Sequence, residues 1–283
     1  MSSSHPAPPP VTRLPGSLTL ILPAFNEEPN IGAVVQESLA TLPVFVDTYE
    51  IIVVDDGSRD RTANIVADLA ASTPQVRLVR HDRNRGYGAA LRSGFGASTG
   101  DFVLFMDADR QFDIRDLRLL APFAGEYDIV AGFRMERSDP LHRRVFAELF
   151  NISVRVLFGV HLRDIDCAFK LFRGDLLRSM KLTAPGALIN TEVQAKARRQ
   201  GARLQQVGVH HYPRIAGEAT GGSPRVILRA IAETLALWWQ MRHYRPPTTS
   251  PRAAQYRNAD GTSTLTSRPE TGTTLAKRLL TRR

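Results

Sequence analysis

The chain of 283 residues has a single cysteine, Cys167, so no disulfide can form within it. Its stability must come from an ordinary core, as in a reducing compartment. No apolar run reaches the roughly 18 residues that a membrane-spanning helix needs. Ser2 to Pro10 is rich in Ser and Pro and carries no apolar stretch of the kind a signal peptide has. These absences lead us to expect a cytoplasmic protein. The glycine-rich phosphate loop that nucleotidyltransferases carry after their first strand is also missing. No recognition module for nucleic acid is present either, so nucleic acid is not an expected partner. The formal charge of +9 does not change that expectation, because it is unevenly placed. From Arg245 onward eight basic residues face only Asp260 and Glu270, which leaves the preceding part mildly basic. Such a tail can bind anionic lipid or nucleic acid, or simply keep a protein soluble.

Hydrophobic residues make up 43% and charged residues 23% of the chain, close to globular averages. The composition divides it into a disordered N-terminal segment (1–16), a large α/β domain (17–222), an amphipathic helix (223–244) and a basic disordered tail (245–283). Within the domain, short β-branched or apolar runs alternate with helical patterns. Leu18 to Leu22, Ile51 to Val54, Val76 to Val79 and Phe102 to Met106 read as strands; Asn30 to Leu42, Thr62 to Ala71 and Ala89 to Gly94 read as helices. Asp128 to Ala131, Asp164 to Phe172 and Leu204 to His211 extend the sheet. That alternation implies a mostly parallel sheet flanked by helices, with ligands gathered at the carboxyl ends of its strands.

Those ends are marked by acid: Glu27, Asp55, Asp56, Asp107 and Asp109. Carboxylates brought together in this way are costly unless a cation or a polar ligand joins them. Asp107-Ala108-Asp109 can share one hard divalent cation, Mg²⁺ or Mn²⁺, with Gln111 nearby. Asp56 can accept the imino proton of uracil or guanine, or it can cap a helix. Asn84-Arg85-Gly86-Tyr87-Gly88 can bring backbone amides to a phosphate, or form a plain turn.

The ordered set Leu22-Pro23-Ala24-Phe25-Asn26-Glu27, Val53-Val54-Asp55-Asp56-Gly57-Ser58, Asn84 to Gly88 and Met106-Asp107-Ala108-Asp109 resembles family-2 glycosyltransferases of the GT-A fold. Within that family the likeness is greatest to dolichyl-phosphate mannose synthases and bacterial polyprenyl-phosphate glycosyltransferases, and it covers roughly residues 17–220. The resemblance implies that Pro23, Phe25 and Glu27 line the nucleotide site and that Val54 and Asp56 hold the base. It implies that Asp107, Ala108, Asp109 and Gln111 hold metal and diphosphate, and that Arg134 lies near a donor or acceptor phosphate. Phe25 stands where many relatives have tyrosine, Ala168 where glycine is common, and Asn190 in place of the first acid of a pair whose second member is Glu192. An arginine and, six residues later, a lysine cover the diphosphate in the mannose-synthase pattern; this chain has Arg214 but Thr220, so mannose is not implied as the donor sugar.

The expected activity is therefore inverting transfer of a sugar from a UDP- or GDP-sugar to a polyprenyl phosphate, with Arg214 and the metal stabilising the departing diphosphate. The alternatives are transfer to a soluble acceptor hydroxyl and a non-catalytic nucleotide-sugar-binding protein; a phosphate acceptor needs no general base, whereas a hydroxyl acceptor would need one. Glu192 is the candidate, its alternative being an ordinary solvated helix residue. Ile227, Ile231, Leu235 and Trp238 share one face of the 223–244 helix, which suits either an interfacial helix or one packed on the domain. His142 to Phe158, basic and apolar together, can form a second membrane-facing patch. The expected place is peripheral, at the inner face of the plasma membrane, with a membrane-protein partner or a homo-oligomer as possible company.

Overall fold

Ile51, Ile52, Val53 and Val54 form an uninterrupted β-branched run, and each is fully buried. A strand with no polar alternation must be covered on both faces, which is the signature of a parallel sheet. In the computed structural model, which describes residues 11–135, 141–214 and 224–247 (the side chains of 141–147 and 224–231 excepted), this run is the centre of β2, Tyr49–Asp55. With β1 (Leu18–Ala24), β3 (Val76–Arg80), β4 (Phe102–Met106), β5 (Ile129–Arg134), β6 (Phe169–Arg173) and β7 (Leu204–Val209) it builds one seven-stranded sheet in the order β3-β2-β1-β4-β6-β5-β7. All neighbours pair in parallel except at β6, which runs antiparallel to both β4 and β5.

The chain leaves β1 through α1 (Ile31–Phe45) for β2, and β2 through α2 (Thr62–Ser72) for β3. It then returns through α3 (Tyr87–Ala97) to β4, on the other side of β1. Right-handed crossovers put α1 and α2 on one face and α3 on the other. Gly94 lets α3 lie close to the sheet, since a Cβ there would stand 2.5 Å from the Ile21 side chain. The reversal of direction opens a crevice between the ends of β1 and β4, the position where open α/β sheets take their ligands. Beneath it Phe95, Phe105 and Phe172 pack ring to ring, with centroids 6.0–6.4 Å apart. Each such fully buried side chain contributes about 1.5–3 kcal/mol.

After β4 a short helical stretch includes α4 (Leu117–Leu120). α5 (Leu141–Phe158), α6 (Gly174–Arg178), α7 (Ile189–Arg199) and α8 (Pro224–His243) complete the layer beside β5 to β7. The lower half of α8 docks through Leu237 and Met241, both buried, while Leu235 and Trp239 are exposed. Trp238, placed by the sequence pattern on an interfacial face, is instead partly buried against the core. The helix packs on the domain and leaves an apolar strip exposed. Ile227 and Ile231 belong to the side chains outside the described residues, as does the Arg143–Phe146 part of α5.

Two other expectations are corrected. Residues 11–16 were expected to be disordered, yet Leu14 is buried and its amide donates to Phe45 O at 2.8 Å. Its apolar side chain gains enough from the α1 end to bring the segment into the fold. α1 was expected to stop at Leu42, before Pro43, but it continues to Phe45. Pro43 removes the bond to Leu39 O, which Tyr49 Oη reaches instead at 3.5 Å, and the Val46 amide still closes the helix on Leu42 O at 3.1 Å. Thr220 and residues 248–283 lie outside the described residues.

Candidate active site

β1 and β4 end on either side of the crevice, and each is followed by a backbone in the left-handed region. Asn26 (φ 56°) and Arg110 (φ 62°) are the only such non-glycine residues among those described. Unusual backbone of this kind persists where surrounding contacts over-determine it, and it concentrates at functional sites. Asn26 is held from both sides: its amide donates to Ser58 Oγ (2.9 Å) and its Oδ1 accepts from the Arg59 amide (2.9 Å). The turn aims Phe25 outward, 41% exposed at the lip, with Pro23 buried beneath it. Glu27 is half-buried and bonded to Asn30 Nδ2 at 2.8 Å; loss of solvent raises its carboxyl above the ordinary value, and Asp109 nearby adds to the rise.

Asp107 and Asp109 follow β4 directly, with Ala108 buried between them. Tyr87 Oη donates to Asp107 Oδ1 at 3.0 Å. Loss of solvent, and then repulsion from Asp109, push Asp107 up to about 7 against the opposing pull of Tyr87 and Arg214. Asp109 is buried; its Oδ1 accepts from the Gln111 amide (3.1 Å) and its Oδ2 from Arg214 (2.6 Å). Arg214 also reaches Gln111 Oε1 at 3.4 Å. It is brought there by a short annealed segment. His210 N donates to Asp116 Oδ2 (2.7 Å), Tyr212 N to Gln111 O (2.9 Å) and Gln111 Nε2 back to Tyr212 O (3.2 Å).

The donor set is all oxygen, from two carboxylates and an amide, and Asp107 is left with an uncompensated tendency to take up a proton. These residues fit a hard divalent cation completed by phosphate and water oxygens. Among the described residues no cluster of three His, Cys, Asp or Glu side chains surrounds one point.

Asp56 is buried and does not cap α2; Asp60 accepts from the Thr62 amide instead (3.0 Å). Asp56 Oδ1 accepts from the Arg85 amide (2.9 Å) and lies 2.6 Å from His81 Nδ1, and Oδ2 accepts from the Gly86 amide (2.8 Å). The Asn84–Gly88 loop is thus more than a plain turn, since it is tied to the end of β2. His81 and Tyr87 were not singled out in the sequence. Their signal was position only: a histidine directly after β3, and a tyrosine between two glycines at the start of α3.

Three expected site residues are committed to contacts within the protein. Val54 is fully buried under α3, so its side chain faces the core and not a base. Arg134 forms a paired contact with Asp164, Nε to Oδ2 at 2.6 Å and Nη2 to Oδ1 at 2.9 Å, at the end of β5. Glu192 is neither solvated nor open to a hydroxyl. It is fully buried and accepts from the Thr183 and Ala184 amides (2.9 and 2.7 Å), the Thr183 hydroxyl (3.0 Å) and Lys196 Nζ (2.6 Å). In this way it anchors the segment whose Pro185 carbonyl accepts from the Gly88 amide at 2.8 Å.

The family model for Glycosyl transferase family 2 matches residues 19–180, which contain both strand ends and the Asn84–Gly88 loop. Glycosyltransferase AglD of Haloferax volcanii is 31% identical over 234 residues, covering 79% of this chain and 37% of that protein. The undecaprenyl-phosphate 4-deoxy-4-formamido-L-arabinose transferase of Pseudomonas fluorescens is 31% identical over 212 residues, 74% of this chain and 61% of the relative. The chain spans about half the length of the curated relatives it matches. Among solved structures, glucosyl-3-phosphoglycerate synthase from Mycobacterium tuberculosis, in complex with Mn²⁺ and UDP-glucose, superimposes with a TM-score of 0.59 at 24% identity, covering 79% of each chain. That likeness shows the GT-A fold. The chain belongs to glycosyl transferase family 2.

Proposed function

We propose that this chain transfers a sugar, with inversion, from a UDP- or GDP-sugar to a polyprenyl phosphate at a membrane surface. The observation that carries the reading is the Asp107/Asp109 pair at the crevice end of β4 with Arg214 seated on it. Mg²⁺ or Mn²⁺ held by Asp107 and Asp109, with Gln111 beside them, would supply Lewis-acid stabilisation of the departing diphosphate. Arg214, carried on a fixed segment, adds a permanent positive charge that can turn from Asp109 to the phosphate oxygens. Phe25 offers an exposed ring on which a base can stack. One acceptor position of Asp56 Oδ2 remains for an imino N–H, which uracil and guanine have and cytosine and adenine lack.

The choice of acceptor draws on the relatives named for undecaprenyl phosphate and on Glu192. A lipid phosphate is already a nucleophilic anion, so it needs no base, and the carboxylate proposed as that base is occupied by other donors. A membrane-facing position is supported by two exposed apolar strips, Leu149, Ile152 and Val156 on α5 and Leu235 and Trp239 on α8. Among the described residues no helix is long and apolar enough to cross a membrane. We take the reaction to occur at the cytosolic face.

The test is purified protein with Mg²⁺ or Mn²⁺, a panel of UDP- and GDP-sugars and polyprenyl phosphate, following label into the organic phase. Metal-dependent lipid-linked product that vanishes in Asp109→Ala is the expected result. Nucleoside diphosphate release without lipid product would instead assign a soluble acceptor.

A further inference from the structure

His81 is buried, 5% exposed, immediately after β3, and its ring bridges two elements. Nδ1 lies 2.6 Å from Asp56 Oδ1, and Nε2 lies 2.8 Å from Ser93 Oγ on α3. Asp56 also takes the amides of Arg85 and Gly86, so protein donors fill three of its roughly four acceptor positions. Both oxygens of this carboxylate already accept from backbone amides, so the 2.6 Å contact is completed by an N–H that His81 Nδ1 donates. In the neutral ring, Nε2 then accepts from the Ser93 hydroxyl. Ser93 thereby opposes a ring flip, which would bring a carbon in place of Nδ1 against Asp56.

The consequences extend along the loop. Gly86 sits at φ +96°, with its Cβ position 2.7 Å from Pro185 O, so the backbone there has little room to adjust. The next residue, Tyr87, carries the hydroxyl that holds Asp107. One five-residue loop is therefore fixed to the end of β2 at Asp56 and to the end of β4 at Asp107.

We propose that His81 is a positioning residue for the nucleotide donor. It fixes the Asp56 carboxylate so that its last free lone pair faces the base and the Arg85–Gly86 amides keep their place. Nothing in the transfer chemistry passes through His81 itself. The assignment rests on the donor-site reading given above, and the experiment separates the two.

His81→Asn keeps an N–H donor where Nδ1 stands, whereas His81→Gln moves its amide toward Ser93 and leaves Asp56 without that donor. Binding of UDP and GDP with Mn²⁺ is measured by calorimetry, alongside donor KM, kcat and Tm. A hydrogen bond to a charged group is worth enough that His81→Gln should weaken nucleotide binding and raise donor KM about tenfold, with kcat changed less than about twofold. His81→Asn should recover most of the loss. Equal affinity in wild type and both variants, or a fall in kcat and Tm with KM unchanged, overturns the proposal. Should the His81 variants not fold, Ser93→Ala and ¹⁵N NMR of the His81 ring decide. The expected result is an Nδ1–H tautomer in the wild type and nucleotide affinity lowered about threefold in the variant, the size of a modest neutral hydrogen bond. An Nε2–H tautomer, or unchanged affinity in Ser93→Ala, overturns it. Wild-type protein that binds neither nucleotide overturns the donor-site reading as well; binding with unaffected variants overturns only the role of His81.

Discussion

Replacing Asp107 by Asn should stabilise the metal-free protein while abolishing its response to metal. Asp107 is raised from 3.8 to about 7 in the fold. A carboxyl so raised is disfavoured when ionised, at about 1.4 kcal/mol per pH unit, which sets a ceiling of about 4 kcal/mol. Asp107 is only half-buried and water relaxes part of the penalty, so we expect about 1–2 kcal/mol. The sign follows from proton counts. Between pH 4 and 7 the unfolded chain loses this proton first while the folded chain keeps it, so wild-type stability falls as pH rises through that window. Asn has no proton to lose, and its amide oxygen can still accept from Tyr87 Oη.

Thermal unfolding in EDTA should therefore show little difference between Asp107→Asn and wild type near pH 4. The variant should gain about 2–8 °C by pH 8, using the usual conversion for a domain of this size. Adding Mn²⁺ at pH 8 should reverse the order, because only wild type gains from binding. A variant less stable than wild type in EDTA at pH 8, or one that still responds to Mn²⁺, would refute the reasoning that Asp107 is a strained acid awaiting a cation.

Glu192→Gln should lower stability by about 3 kcal/mol, because it leaves Lys196 buried without its counter-charge; denaturant unfolding reads this, and kcat per folded molecule should remain near wild type. Arg214→Ala should have opposite effects on two measurements. Turnover should fall about 10²-fold, as when one leaving-group stabiliser is removed, while Mn²⁺ affinity without donor should rise severalfold on titration, because Asp109 Oδ2 is released. The double variant Leu235→Ala, Trp239→Ala removes two exposed apolar side chains and should weaken sedimentation with anionic liposomes at least tenfold, given about 1.5–3 kcal/mol per buried side chain; soluble-phase donor hydrolysis should not change.

The parallel half of the fold was legible because its signals are local. A β-branched run that ends in Asp-Asp-Gly-Ser announces both a buried strand and the turn that stops it, and β1, β2 and β4 were located within two residues at each end. β6 was less legible. Its sequence, Phe169–Arg173, contains nothing that distinguishes an antiparallel from a parallel strand; direction is set by where β4 leaves an open edge. The insertion of Leu14 under α1 was hidden for a related reason, since one apolar residue among prolines looks like linker until the surface that receives it exists.

Among candidate site residues the division is between what a motif places and what tertiary structure assigns. Asp107, Asp109, Phe25 and Glu27 lie at strand ends, so the sheet alone brings them to one crevice. Glu192, Asp56 and His81 lie equally near in sequence to recognisable features, but Asp56 takes partners 25 to 30 residues away, and the Glu192 partners at 183–184 reach it only through the fold of the segment before its helix. A glutamate on a helix with basic residues in its last turns reads as solvated; it becomes a buried anchor only because residues 183–184 present two amides to it and Lys196 closes the fourth side. Asp56 illustrates the same point from the other direction. Its spacing allowed a cap or a base contact, and the fold used most of its capacity for neither, spending it on the loop that leads to Tyr87 and so to Asp107. The two halves of the crevice are thus mechanically one unit, and a substitution at His81 should be felt at the nucleotide before it is felt at the chemistry.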